Sequence, residues 1–313
     1  MNQFLADVLK GLQSSPKYLK SKYFYNKKGD ELFRNIMDSE DYYLTKCESE
    51  IFPEQTKNIV DLITTHHSNF DVVELGAGDA TKSIYLLEEM LQRKTINTYF
   101  PVDISDNIIS ILKKNLPERL PGLQLHGLHG EYLKMLKKAK DISDNIKIVL
   151  FLGSNIVNIP AKKVTAFCKS LRKQLNPGDL LLIGFDLKKN PHIIRAAYND
   201  RDGYTKRFNL NLLSRINEEM NADFDISSFE HYPTYDPATG ACKSYLVSAA
   251  DQQVSIGEDV VISFAKDETI FMEISQKYTI EQTDEIAVHS GFIPIGHFFD
   301  KRKWFADVIW KCV

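Results

Sequence analysis

No run of 18 or more apolar residues occurs in the 313-residue chain, so its sequence offers no transmembrane helix. Cysteine is scarce: Cys47, Cys168, Cys242 and Cys312 lie far apart with no C-x-x-C pair. That spacing disfavours a zinc ribbon or a disulfide scaffold and fits reduced thiols in a cytoplasmic protein. The eight histidines show no H-E-x-x-H or comparable ligand spacing, and no residue is assigned to a metal. Charge is nearly balanced, with 39 Lys+Arg against 42 Asp+Glu, so nothing overall attracts phosphate backbones or anionic lipid. The densest basic cluster, Lys134, Lys137, Lys138 and Lys140, has no interleaved aromatics and reads as a solvated helix face, so neither nucleic acid nor membrane is expected as a partner. The first ten residues lack a basic start and an unbroken apolar stretch, which is not the pattern of a secretory signal. Internal repeats and low-complexity segments are also missing, and no obligate protein partner is evident.

What is present is ordinary globular material: 43% hydrophobic and 26% charged residues, enough to bury one large core or two of usual size. At the start, Phe4, Leu5, Val8, Leu9 and Leu12 fall on one helical face. From about residue 71 to 187, short β-rich apolar runs alternate with helical ones, the signature of parallel βαβ units. Strands are expected at Asp71–Leu75, Thr98–Val102, Gln124–Leu128, Lys147–Leu152 and Leu180–Phe185. They read as continuous apolar runs because helices cover a parallel sheet on both faces. Helices are expected at Ser83–Leu91 and Val164–Leu175 from apolar spacing of three to four. Near residue 195 the alternation stops, and the strand-like segments Tyr245–Ala249, Val260–Phe264 and Thr269–Ile274 follow one another as in an antiparallel layer. A helix at Glu281–Ser290 and strands near Ile293–Phe299 and Trp304–Trp310 then resume the first sheet. This predicts an α/β fold whose second module is inserted in the first.

The most informative segment is Val72-Val73-Glu74-Leu75-Gly76-Ala77-Gly78-Asp79-Ala80-Thr81-Lys82, which ends a strand, turns on two glycines and opens a helix. Glycine there lets backbone approach a nucleotide-like ligand at the carboxyl edge of the sheet. Asp103, at the end of the next strand, is placed to accept hydrogen bonds from both ribose hydroxyls. A dinucleotide fingerprint wants a third Gly or Ala where Thr81 stands, which weakens a reading as an NAD-linked or non-catalytic Rossmann protein. The form E-x-G-x-G followed by an acidic strand end resembles instead the first two motifs of class I S-adenosylmethionine methyltransferases. Gly130-Glu131-Tyr132 after the third strand and Phe151-Leu152-Gly153-Ser154 closing the fourth supply the remaining strand ends of such a site.

Other segments have no generic role: Tyr23-Phe24-Tyr25-Asn26-Lys27-Lys28-Gly29-Asp30-Glu31-Leu32-Phe33, Asp41-Tyr42-Tyr43-Leu44-Thr45-Lys46-Cys47-Glu48, Gly153-Ser154-Asn155-Ile156-Val157-Asn158, Asn221-Ala222-Asp223-Phe224-Asp225 and Glu273-Ile274-Ser275-Gln276-Lys277-Tyr278. In order, from about residue 17 to the C-terminus, they resemble the histidine-specific Nα-methyltransferases of ergothioneine biosynthesis. The resemblance implies a class I methyltransferase Rossmann-like sheet over 61–195 and 276–313. It also implies a second, α+β substrate-binding domain from 1–60 and 196–275, whose two segments pack together. S-adenosylmethionine is the implied cofactor and a small amino acid, L-histidine, the implied methyl acceptor. On matching positions, Tyr25, Gly76, Gly78, Lys82, Asp103, Glu131 and Tyr132 line the cofactor, while Tyr42, Asn158 and Tyr198 hold the α-amino and α-carboxylate groups. Tyr25 and Asn158 are the implied catalytic pair, and Glu273 and Ser275 face the acceptor's side chain.

The chain departs from that family at three places. Glu131-Tyr132 replaces Asp-Phe, Val157 replaces a glycine before the key asparagine, and Ser244 stands where a methionine packs on the acceptor's ring. The last two leave another aromatic amino acid or small amine open as the acceptor. Plainer readings also stand beside several of these residues. Tyr42 and Tyr43 can be core and rim aromatics, Asn158 a turn residue, Tyr198 a helix-end aromatic, and Glu273 one side of an alternating strand. Against the last, Ser275 shares the face of Glu273 at period two.

Overall fold

A computed structural model describes residues 3–313. By contact they divide into two units, one holding the chain up to Tyr43 together with Lys189–Gln276, the other holding Leu44–Lys188 and Lys277–Val313. In chain order the elements begin α1 (Gln3–Leu12), β1 (Lys17–Tyr18), α2 (Lys27–Asp38), α3 (Tyr43–Thr64), β2 (Phe70–Leu75), α4 (Ser83–Gln92), β3 (Ile96–Asp103), α5 (Asp106–Arg119) and β4 (Leu128–His129). They continue with α6 (Tyr132–Ile142), β5 (Lys147–Phe151), α7 (Ala161–Arg172), β6 (Leu180–Asp186), α8 (Pro191–Ala197), α9 (Tyr204–Met220), β7 (Phe229–Asp236) and β8 (Ala241–Ser248). Last come β9 (Gln252–Ile256), β10 (Val260–Phe264), β11 (Thr269–Gln276), α10 (Ile280–His289), β12 (Phe292–Phe299) and β13 (Phe305–Cys312).

The second unit is built on a seven-stranded sheet of order β12-β13-β6-β5-β2-β3-β4. From β6 to β4 the strands are parallel, and β13 is antiparallel to both of its neighbours. Every residue of β2, β5 and β6 is buried, which is why these strands read as continuous apolar runs. The chain enters at β2, adds β3 and β4 on one side, then returns to add β5 and β6 on the other. Strand order reverses between β2 and β5, and ligands of open α/β sheets bind at the carboxyl ends beside such a reversal. The loops after Leu75 and Phe151 leave from those ends. The strand expected at Gln124–Leu128 shrinks to Leu128–His129 plus one bridge from Tyr99 to Leu125. It pairs on one side only, and at Gly127 the side chains of Ile109 and Lys113 come so close that a Cβ would meet them at 2.6 and 2.8 Å.

The chain leaves and re-enters this unit at neighbouring points. Leu187 and Tyr278 form a parallel bridge, Tyr278 N–H donates to Asp186 O at 3.1 Å, and Lys188 N–H donates to Tyr278 O at 2.8 Å. Lys277 sits in the same crossing, fully buried, with its Nζ 2.5 Å from Asp186 Oδ2.

The first unit carries a four-stranded sheet of order β1-β11-β8-β7 and a separate β9–β10 hairpin. Strands β7, β8 and β11 are antiparallel, and β1 adds in parallel to β11. Phe4, Val8 and Leu12 of α1 join Leu32, Ile36, Phe208, Leu212, Leu246 and Ile270 in its core, so the N-terminal segment and the insertion share one interior. The contact boundaries fall at 43/44, 188/189 and 276/277, and most of the difference from 60/61 comes from α3. After its first residue that helix bonds to the second unit, through Glu48 to Gly153 N–H and through the Gln55 amide to Phe299 O.

Candidate active site

In the second unit the glycine loop is shaped by two left-handed residues, Gly76 (φ 77°) and Gly78 (φ 53°). A Cβ on Gly76 would stand 2.9 Å from the Tyr132 hydroxyl, whereas a Cβ on Gly78 would meet nothing within 4 Å. Gly76 is therefore required by packing as well as by backbone, while Gly78 borders open space. Asp103 is held at the end of β3 by the same loop: Oδ2 accepts from Gly78 N–H at 3.2 Å and Oδ1 from Ser105 N–H at 2.9 Å. A carboxylate has about four acceptor sites, so this preoriented group keeps capacity for two hydroxyl donors. Burial, with Asp103 nearby, pushes the Tyr132 hydroxyl up to about 12, so it remains a neutral donor. Glu131 precedes α6 and its exposed carboxylate pairs with Lys134 at 2.8 Å. A turn with two positive-φ glycines, open space at the second, and a vicinal-diol acceptor at the next strand end fit S-adenosylmethionine, which has no phosphate to cradle.

The opposite side of the same strand ends is organised by α3. Glu48 pairs with Lys82 Nζ and accepts from Gly153 N–H at 2.8 Å, and Asn155 Nδ2 donates to Leu152 O at 2.7 Å. Burial opposes the charge on Lys82, yet the Glu48 carboxylate outweighs it and raises the ammonium above its usual value. Glu48 stands inside one of the sequence segments that carry the resemblance, but nothing in its spacing identifies it as a partner of the glycine loop. Asn158 is exposed at the end of the turn after β5. Val157 packs inward, 2% exposed, as part of the core cluster that also holds Val164 and Cys168.

In the first unit a second constellation forms on one face of the four-stranded sheet. The Tyr198 hydroxyl, at the C-terminal end of α8, donates to Ser275 Oγ at 2.6 Å, and the rings of Tyr42 and Tyr198 meet edge to face at 6.4 Å. Glu273 lies directly across from Ser244, and Ser275 across from Cys242, so all four point to the same face. A one-residue register shift at Met272 makes this possible. Met272 enters the core, and the next residue, Glu273, still shares the face of Ile270 and Leu246. The Ser244 hydroxyl is buried with no hydrogen-bond partner among the described residues. Tyr43 is placed by Lys189, whose ammonium reaches its hydroxyl at 3.0 Å and lies over its ring.

The residues singled out from sequence thus fall into two groups. Gly76, Gly78, Lys82, Asp103, Glu131, Tyr132 and Asn158 belong to the sheet unit, while Tyr25, Tyr42, Tyr198, Glu273 and Ser275 belong to the other. Tyr25 is half-exposed two residues before α2, edge-on to Phe33 and Phe208.

Residues 4–312 match the family described as histidine-specific methyltransferase, S-adenosylmethionine-dependent. A histidine N-alpha-methyltransferase of Mycobacterium tuberculosis is 30% identical over 87% of this chain and 83% of its own length. The Mycolicibacterium smegmatis protein of the same name is 30% identical over 88% and 84%. An L-tryptophan methyltransferase of Psilocybe serbica is 27% identical over 95% and 89%. No helix among the described residues is long and apolar enough to cross a membrane. With its E-x-G-x-G turn, acidic second strand end and match over nearly the whole length, the chain belongs to the S-adenosylmethionine-dependent, histidine-specific methyltransferase family.

Proposed function

We propose that this enzyme methylates the α-nitrogen of L-histidine, with Glu273 and Ser275 reading the imidazole and Tyr42 and Tyr198 engaging the amino acid's backbone groups. When bound, S-adenosylmethionine supplies a methyl group on a positively charged sulfur. Gly76 and Gly78 give it close backbone approach, Asp103 accepts its ribose hydroxyls, Glu131 and Tyr132 flank the base, and Lys82 offers an ammonium to its acid end. Tyr25 and Asn158 carry the catalytic assignments that their sequence positions imply. The protein's task is to hold a neutral amine in line, an orientation effect that reaches about 7–11 kcal/mol in favourable cases.

The observation that carries the choice of acceptor is the shared face of Glu273 and Ser275, with the hydroxyl of Ser275 already tied to Tyr198. A carboxylate and a hydroxyl two residues apart complement the donor and acceptor nitrogens of one imidazole, which an apolar side chain cannot satisfy. Incubation with labelled methyl donor and each of the twenty amino acids tests this, histidine being the preferred acceptor. Loss of a hydrogen bond to a charged group costs about 1.5–3 kcal/mol, so Glu273→Ala lowers kcat/KM for histidine roughly ten- to a hundredfold and leaves S-adenosylhomocysteine affinity near wild type. Wild-type preference for tryptophan or phenylalanine would sink the histidine reading and point to the small Ser244 beside Glu273.

A further inference from the structure

Three carboxyls surround one ammonium beneath the glycine loop. Lys82 is in contact with Glu48 and also feels the charges of Asp307 and Glu74. Asp307 interrupts the apolar final strand Phe305-Ala306-Asp307-Val308-Ile309-Trp310, and it is completely buried. Neither of its carboxyl oxygens has a hydrogen-bond partner among the described residues. Its position relative to Glu48 follows from Gly184. Gly184 is the cross-strand partner of Asp307 between β6 and β13, and a Cβ placed on Gly184 would lie 2.8 Å from Glu48 Oε1. Opposed residues of an antiparallel pair share a face. The Glu48 carboxyl therefore fills the space a side chain at 184 would take, on the face from which Asp307 projects.

We propose that Glu48 and Asp307 form an acid pair holding one proton, carried by Asp307, and that this leaves Glu48 alone to position Lys82 at the cofactor pocket. Both residues are positioning groups that act through Lys82, and the proposal rests on assigning Lys82 to the cofactor. Two ionised carboxylates beside one lysine in a dry interior leave an unbalanced charge, and binding a proton is the least costly remedy. Burial, reinforced by Glu48 and opposed by Lys82, holds the Asp307 carboxyl well above the usual carboxylate range. The groups facing the pair are Lys82 from the loop before α4 and, beyond it, Glu74 from β2. When Asp307 loses its proton at alkaline pH, it competes for Lys82 and withdraws the ammonium from the ligand.

Calorimetry with S-adenosylhomocysteine from about pH 6 to about pH 9.5, with circular dichroism on each variant, reads the consequence. Wild-type affinity falls toward alkaline pH by up to about tenfold per pH unit, and Asp307→Asn removes that fall. Glu48→Gln lowers affinity roughly ten- to a hundredfold at neutral pH and affects kcat at saturating cofactor less. Infrared spectroscopy supplies a readout independent of ligand: a carboxylic-acid carbonyl band present at neutral pH in an Glu74→Gln background, titrated away by alkali and missing once Asp307 is also changed. An absent band, or an alkaline loss of affinity identical in wild type and Asp307→Asn, overturns the proposal. Should Asp307→Asn fail to fold, the band and its titration in the parent still decide. If Lys82→Ala binds S-adenosylhomocysteine as wild type does, the Lys82 assignment fails, and the infrared result judges the pair by itself.

Discussion

Glu74 closes β2 immediately before the glycine loop, almost wholly buried, and accepts a 2.5 Å hydrogen bond from the Tyr99 hydroxyl. Burial pushes its carboxyl from 4.5 up to about 7; Tyr99, Ser83 and Lys82 oppose the rise and Glu48 adds to it. The unfolded chain releases this proton near 4.5, whereas the folded protein keeps it to about 7. Between those values the native state binds more protons, so stability falls as pH rises through the window. At about 1.36 kcal/mol per pH unit the whole effect is roughly 3 kcal/mol, of which about 2 kcal/mol is lost between about pH 5 and about pH 7. Glutamine has the same shape, keeps an acceptor for Tyr99 and does not titrate. Urea unfolding of wild type and Glu74→Gln at both pH values isolates the term, because every other titrating group is common to the two proteins. The gap between them should shift by about 2 kcal/mol in favour of the variant on going from the lower to the higher pH. Parallel stability profiles would refute the assignment of a proton to this carboxyl.

Lys277→Met removes the ammonium that faces the fully buried Asp186 and is expected to cost about 3–5 kcal/mol in urea unfolding, while Lys277→Met combined with Asp186→Leu recovers most of it. A double variant as unstable as the single one would show that the pair is not the source of the loss. Tyr198→Phe removes the buried bond to Ser275 and raises the KM for histidine about two- to tenfold, with kcat less affected. Ser275→Ala does the same, and the double variant costs less than the sum of the two; strict additivity would show that they do not act as a unit.

How far the sequence speaks depends on what each element buries. Strands β2, β5 and β6 are plain because both faces are covered and, apart from Asp71, Glu74, Lys147 and Asp186, their side chains are apolar. Strand β7 gives no such signal because Glu230, Tyr232 and Asp236 face solvent and Pro233 interrupts the pattern, although β8 pairs along its whole length. Gly76, Gly78 and Asp103 were legible because a tight turn and a strand-end acid are local features. The register shift at Met272 exists only in the pairing of β11 with β8, and no spacing in Ile270-Phe271-Met272-Glu273-Ile274 announces it. Glu48 and Asp307 lie 259 positions apart and meet only through Gly184 and the order of the sheet. A lone acid in an apolar strand was the one available signal for Asp307, and it gives no hint of the partner.

The side-by-side exit and return at Leu187 and Tyr278 bears on how such enzymes diversify. A segment whose two ends are already hydrogen-bonded neighbours closes its own loop, so the host sheet bears little entropic cost whether the segment is long or short. Neither the pairing of β6 with β13 nor the strand ends that carry Gly76 and Asp103 depends on the length of what lies between Lys188 and Lys277. Evolution can therefore lengthen, trim or replace that stretch as a cassette, while the seven-stranded sheet and its glycine turn stay unchanged.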